Sequence, residues 1–131
     1  MRFFTATERD RLIANYVASG EALAKDSAID HWPVVKLFTP YASATWLLTE
    51  FDPEENVAFG LCDLGLGEPE LGYVSLTELA EGSESSQTFV ERDRYWEADG
   101  PLSAYAGRAR ELRQIPDSSL TTGDCSPDPS P

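Results

Sequence analysis

Cations are what this chain lacks most. Its 131 residues carry 10 Lys and Arg against 23 Asp and Glu, a formal net charge of -13, and the stretch from Leu37 to Glu91 holds 11 acids without one Lys or Arg. Binding to a nucleic-acid backbone depends on basic side chains displacing condensed counterions, so this composition argues against direct DNA or RNA contact. A basic protein surface is the natural partner, and an acidic exterior serving only solubility is the competing reading.

Histidine and cysteine are scarce as well. One His and two distant Cys cannot assemble a nitrogen and sulfur zinc site within one chain, and no metal is expected. Cys62 falls in a predicted strand and Cys125 in a Pro/Ser-rich tail, a pairing that gives no structural disulfide and points to reduced thiols. No apolar run approaches the roughly 18 residues that span a bilayer, and MRFFTATERDRL turns charged too soon for a signal peptide, so a cytoplasmic protein without membrane contact is expected. There is no Gly-x-Ser-x-Gly elbow, and Gly65-Leu66-Gly67-Glu68 runs into Pro69 and another acid instead of cradling phosphate. No cofactor is implied.

What is present reads as one domain over 1–116, with a tail over 117–131 too rich in Ser, Thr, Asp and Pro to bury surface and therefore expected to be disordered. Thr5 or Thr7 caps a first helix in which Leu12, Ile13, Tyr16 and Val17 form the apolar stripe, with Gly20 as its stop and a loop from Glu21 to Pro33. Strands follow at Val34 to Thr39, Thr45 to Phe51, Val57 to Cys62 and Leu71 to Val74, separated by Pro40, by Asp52-Pro53-Glu54-Glu55-Asn56 and by Gly65 to Pro69. Ser75-Leu76-Thr77-Glu78 matches a capping box and opens a short helix to about Gly82. Thr88 to Trp96 reads as extended, and Gly100-Pro101 opens a last helix carrying Leu102, Tyr105, Ala109 and Leu112. The fold class is α+β: a mainly antiparallel sheet of four or five strands, with the first and last helices covering one face.

Strict alternation in the second strand puts Thr45, Leu47, Thr49 and Phe51 on one face, and Trp46, Leu48, Glu50 and Asp52 on the other. Glu50 and Asp52 then sit about 7 Å apart, a spacing suited to acid and base work on a glycosidic bond, with Trp46 as a stacking platform. Against that hydrolase reading stands an ion-pair network in which Lys36, Arg92 or Arg94 neutralises the two acids across the sheet. Asp52, Glu54, Asn56 and Asp63 echo a calcium loop, but Val57 stands where that loop needs glycine, and a hairpin turn is the simpler account. His31 and Cys62 could pair in space, although a strand thiol is more often a small core residue.

The segments VVKLFTP, TWLLTEFD, FGLCDLG, ELGYVSLTEL and VERDRYWE together resemble a family of small bacterial proteins of unknown function found on plasmids, phages and other mobile elements. The resemblance covers about Val34 to Trp96. It implies no reaction and no catalytic residues, while the mobile-element setting implies roles such as countering host defence. The residues and the resemblance together give a non-enzymatic acidic binding protein, an inhibitor of DNA-mimic type acting on a basic nucleic-acid-processing defence enzyme. Glu50, Asp52, Glu54, Glu55, Glu68 and Glu70 are its expected contact residues. The alternatives are a hydrolase on the Glu50/Asp52 pair and a regulatory accessory protein.

Overall fold

A computed structural model describes residues 3–85 and 88–116, so the tail expected to be disordered lies outside the described residues. In chain order the elements are α1 (Ala6–Ala24), β1 (Val35–Phe38), β2 (Thr45–Asp52), β3 (Val57–Asp63), β4 (Glu70–Ser75), α2 (Leu76–Gly82), β5 (Glu91–Arg92) and α3 (Leu102–Leu112). The five strands form one antiparallel open sheet in the order β4-β3-β2-β1-β5, which is the α+β architecture expected from the sequence.

Capping chemistry starts α1. Thr5 Oγ1 accepts from the Glu8 amide at 3.0 Å and Glu8 Oε1 accepts from the Thr5 amide at 2.8 Å, satisfying two donors the helix would otherwise leave orphaned. The helix does not stop at Gly20: it continues to Ala24, taking four residues expected to be loop. Its end is set at Asp26, whose φ of 56° lets the Asp26 amide reach Leu23 O and the Ser27 amide reach Ala22 O. A helical glycine costs only about 1 kcal/mol relative to Ala, too little by itself to end a helix that finds its C-cap later, at Lys25. α2 begins where expected, with Ser75 Oγ accepting from the Glu78 amide at 3.2 Å, which is one half of the expected capping box. β5 is far shorter than the expected Thr88 to Trp96: ahead of it the Val90 amide donates to Ser83 Oγ at 2.7 Å, and after it Asp93 Oδ1 accepts from the Tyr95 amide at 3.1 Å and turns the chain.

Both faces of β2 are buried. Trp46, Leu48 and Phe51 join Val35, Leu37 and Ala58 against Phe4 and Leu12 of the α1 side and Leu76 of α2, whereas Leu47 and Leu61 meet Leu102, Tyr105, Ala106 and Ala109 of α3. The first and last helices therefore cover opposite faces instead of one. A central strand that is apolar on both sides needs cover on both. Among the described residues no helix is long and apolar enough to cross a membrane.

β2 departs from regular alternation at one point. Leu48 pairs with Gly60 and Glu50 with Phe59, so Thr49 is an extra residue, a β-bulge in the middle of the strand. The extra residue shifts the parity of everything after it. Phe51 joins Trp46 and Leu48 in the α1 core, and Glu50 and Asp52 turn toward the α3 face. Thr49 itself is 1% exposed, and its polar groups are satisfied: its hydroxyl donates to Phe59 O at 3.3 Å and its carbonyl accepts from Asn15 Nδ2 at 2.9 Å. β1 pairs only as far as Leu48, and α1 covers β2 beyond that point.

Candidate partner-binding groove

On the α3 face, pairing aligns Glu50 of β2 with Phe59 of β3 and Tyr73 of β4 in one row across the sheet. The two rings pack at 5.0 Å between centroids. With Tyr16 of α1, Asp52, Glu55 and Val57, this row lines a cavity of about 270 Å³. A second cavity of about 200 Å³ adjoins it, sharing Glu50 and Phe59 and adding His31, Leu71, Leu102 and Ser103. The result is a groove with aromatic walls and carboxylates along one side. Tyr73 is 76% exposed and Tyr16 40% exposed, so the walls face solvent.

The carboxylates are fixed by neutral donors. Asp52 Oδ1 accepts from the amides of Glu54 and Glu55 at 3.0 and 3.4 Å, an Asx turn that shapes the β2–β3 hairpin, and its Oδ2 accepts from Tyr16 OH at 3.1 Å. That bond, and then the charge of Asp52, raise the Tyr16 hydroxyl above the ordinary tyrosine value. Glu50 Oε2 accepts from Ser19 Oγ at 2.8 Å, and Ser19 Oγ lies 2.9 Å from His31 Nε2. A hydroxyl has one hydrogen, so with Ser19 donating to Glu50, His31 Nε2 carries the proton that Ser19 accepts. This chain ties α1, the segment before β1 and the bulged half of β2 together at the groove.

The cations expected to neutralise Glu50 and Asp52 are engaged elsewhere. Lys36 pairs with Asp93 at 3.9 Å, Arg92 with Glu8 at 3.4 Å, and Arg94 lies over the Tyr95 ring. Among the described residues, none of the 11 acids between Leu37 and Glu91 takes part in an ion pair.

Of the expected contact residues, Glu50, Asp52 and Glu55 line the groove, and Glu54 stands beside Glu55 in the turn. Glu68 and Glu70 lie toward the other end of β3 and β4, about 20 Å from the β2–β3 turn and about 10 Å from Tyr73 of the groove row by strand rise, where Arg113 lies beside Gly67. Three acids outside that expected set join the first group instead. The Leu76 amide donates to Asn56 O and Asn56 Nδ2 donates to Thr77 Oγ1, which docks α2 and the following residues, with Glu78, Glu81 and Glu84, against the β2–β3 turn. One end of the molecule thus gathers Glu50, Asp52, Glu54, Glu55, Glu78, Glu81 and Glu84, seven of the 11.

Other expectations resolve structurally. Trp46 is 6% exposed on the α1 face, so it does not share a surface with Glu50 and Asp52 and cannot serve as their platform. Asp63 is buried at the far end of β3, accepting from the amides of Gly65 and Ile115 at 2.9 Å each, and is part of the scaffold. Burial, with the charge of Glu70 added, pushes the Cys62 thiol up to about 11, the behaviour of a packed residue and not of a nucleophile. Tyr16, Ser19, Phe59 and Tyr73 carry the groove yet stand out in no single stretch of sequence. Tyr16 reads as part of the core stripe of α1, of which only Leu12 is fully buried.

A protein-family model described as "Protein of unknown function (DUF2958)" matches residues 3–116. No curated protein and no solved structure matches the chain.

Proposed function

The chain belongs to the DUF2958 family, and on that premise we propose that it is a non-enzymatic binding protein whose acidic end engages a basic surface on a protein partner. The observation that carries this reading is the gathering of seven acids around the β2–β3 turn and α2, without ion-pair partners among the described residues, beside a groove walled by Tyr16 and Tyr73. Carboxylates left uncompensated raise a negative potential that speeds encounter with a cationic surface. An aromatic face next to them suits a Lys or Arg side chain, which gains from the ring quadrupole and the carboxylates together.

A protein that processes nucleic acid has a surface built to hold rows of phosphates, and Glu54, Glu55, Glu78, Glu81 and Glu84 offer carboxylates in their place. The proposed role is therefore inhibition of such a protein, of the kind that mobile elements direct at host defence. Its contacts include Glu50, Asp52, Glu54 and Glu55, with Glu68 and Glu70 remote from this end. It uses no cofactor and no direct contact with nucleic acid or membrane.

Affinity capture from a bacterial lysate tests this. The captured protein is released by added duplex DNA, its retention falls at least about tenfold between about 0.05 and about 0.3 M salt, and it is lost with the E54K/E55K variant. Capture indifferent to salt and to charge reversal would overturn the reading. Both positions are exposed and lie among like charges, so the variant should fold at least as well as the parent.

One observation favours a second reading, a hydrolase on Glu50 and Asp52: the hydrogen-bonded chain from Glu50 through Ser19 to His31 at the groove. Turnover of chromogenic ester or glycoside probes that disappears in Glu50→Gln would put that reading in first place.

A further inference from the structure

β4 ends the sheet, and its outer side is open. Among the described residues the backbone of Glu70–Ser75 pairs with β3 alone, and no other backbone hydrogen bond reaches it. Natural sheets protect such edges with lysine, proline, a bulge or brevity. β5, at the opposite edge, is protected in this way, with two residues, Glu91 and Arg92. β4 has little of this: six residues, an unbroken register from Val57↔Ser75 to Cys62↔Glu70, no Lys or Pro within it, and a single charged side chain, Glu70, at its first position. Leu71 and Tyr73 are 49% and 76% exposed on the groove side, and a Cβ at Gly72 would meet nothing within 4 Å.

We infer that the free edge of β4 accepts an extended, cationic segment of the partner protein as an added strand. This deepens the binding reading above and rests on it. Residues paired across a ladder project to the same face, so the partner side chain opposite Tyr73 continues the row Glu50, Phe59, Tyr73. A Lys or Arg there lies along the Tyr73 ring. On the other face, the partner residue opposite Glu70 meets a carboxylate directly. Charge selects the occupant: a second copy would bring another net charge of -13 to an edge already carrying Glu70 and flanked by Glu68. Main-chain pairing supplies affinity, and alternate side chains supply specificity.

The test uses a fluorescein-labelled octapeptide of alternating Lys and Thr, with fluorescence anisotropy as readout on the full-length protein. Two further peptides carry N-methyl groups on every second residue, in opposite phase, so that each blocks one edge of the extended backbone while keeping every charge. The expected result is that one phase binds like the parent and the other at least about tenfold more weakly, because only one edge of the peptide faces β4. A Glu/Thr counterpart should not bind. Equal binding of both methylated phases, or binding of the Glu/Thr peptide, would overturn the inference. So would a dimer in sedimentation that the Lys/Thr peptide dissociates, since the edge would then belong to a second copy. If partner capture stays sensitive to salt and to E54K/E55K while no peptide binds, the edge inference fails and the acidic reading stands. Phase-selective peptide binding alongside salt-insensitive capture supports the edge and removes the acidic reading.

Discussion

Gly60 sits opposite the point where β2 bulges, and there the absence of a side chain is a packing requirement. A Cβ on Gly60 would lie 1.9 Å from Leu47 O and 2.8 Å from Leu48 Cα, atoms of a central strand that cannot move without disturbing both cores. Gly60→Ala should destabilise the fold by about 3 kcal/mol or more, at the upper end of overpacking costs, read as a lower urea midpoint at unchanged slope. Gly72→Ala, with nothing within 4 Å of the added Cβ, is the matched control and should move the midpoint little. The two glycines look alike in sequence, each inside a strand. Tertiary structure separates them: Gly60 lies in β3 against the bulge at Thr49, which Asn15 of α1 satisfies, whereas Gly72 lies in the edge strand β4.

Among the elements, α1 shows how local chemistry can be legible at one end and hidden at the other. The Thr5/Glu8 box is a pattern of four residues and could be read directly. The other end rests on Asp26 in the left-handed region, a conformation that costs L residues about 1–2 kcal/mol and that Asp tolerates better than most. Asp26→Gly should therefore stabilise the protein by about 0.5 kcal/mol after allowing for the greater freedom of glycine in the unfolded chain, a rise of about 2 °C in Tm by calorimetry. Gly20, inside the helix, gave the more conspicuous signal but has no capping role. The short β5 illustrates a related limit: Thr88 to Trp96 has strand-like composition, yet the Asp93 turn ends its pairing after two residues.

At the scale of the whole molecule, a half-buried thiol and a buried tyrosine give the fold an alkaline limit. Burial pushes Cys62 up to about 11, and it pushes Tyr105 up to about 12, where Asp99 both donates to and accepts from its hydroxyl. Both groups keep their protons in the fold at pH values where the unfolded chain has released them. The native state then binds more protons than the unfolded one, so stability falls as pH rises from about 9 toward about 12. Urea midpoints should drop between about pH 8 and about pH 10.5, and Cys62→Ser should remove part of the drop. A flat profile would mean that neither group is desolvated as the packing indicates. The same scale decides the acidic surface: the sequence supplies 11 acids in one stretch, but chain reversal at each turn sends them to both ends of the sheet, and docking of α2 against Asn56 collects seven at one end.

By itself the sequence determined the positions of the first four strands, a cap at Ser75 and one at Thr5 or Thr7, the α+β class and the excess of negative charge, because each depends on neighbours in the chain or on composition alone. Tertiary structure decided which way those parts face. One extra residue in β2 exchanged Phe51 for Glu50 and Asp52 on the α3 face, away from the buried Trp46, and the packing of α1 and the pairing of β4 brought Tyr16 and Tyr73 from distant segments to wall the groove. Side-chain direction in a strand has a period of two, so a single unpaired residue inverts everything beyond it, and nothing in the local pattern of TWLLTEFD marks where that residue falls.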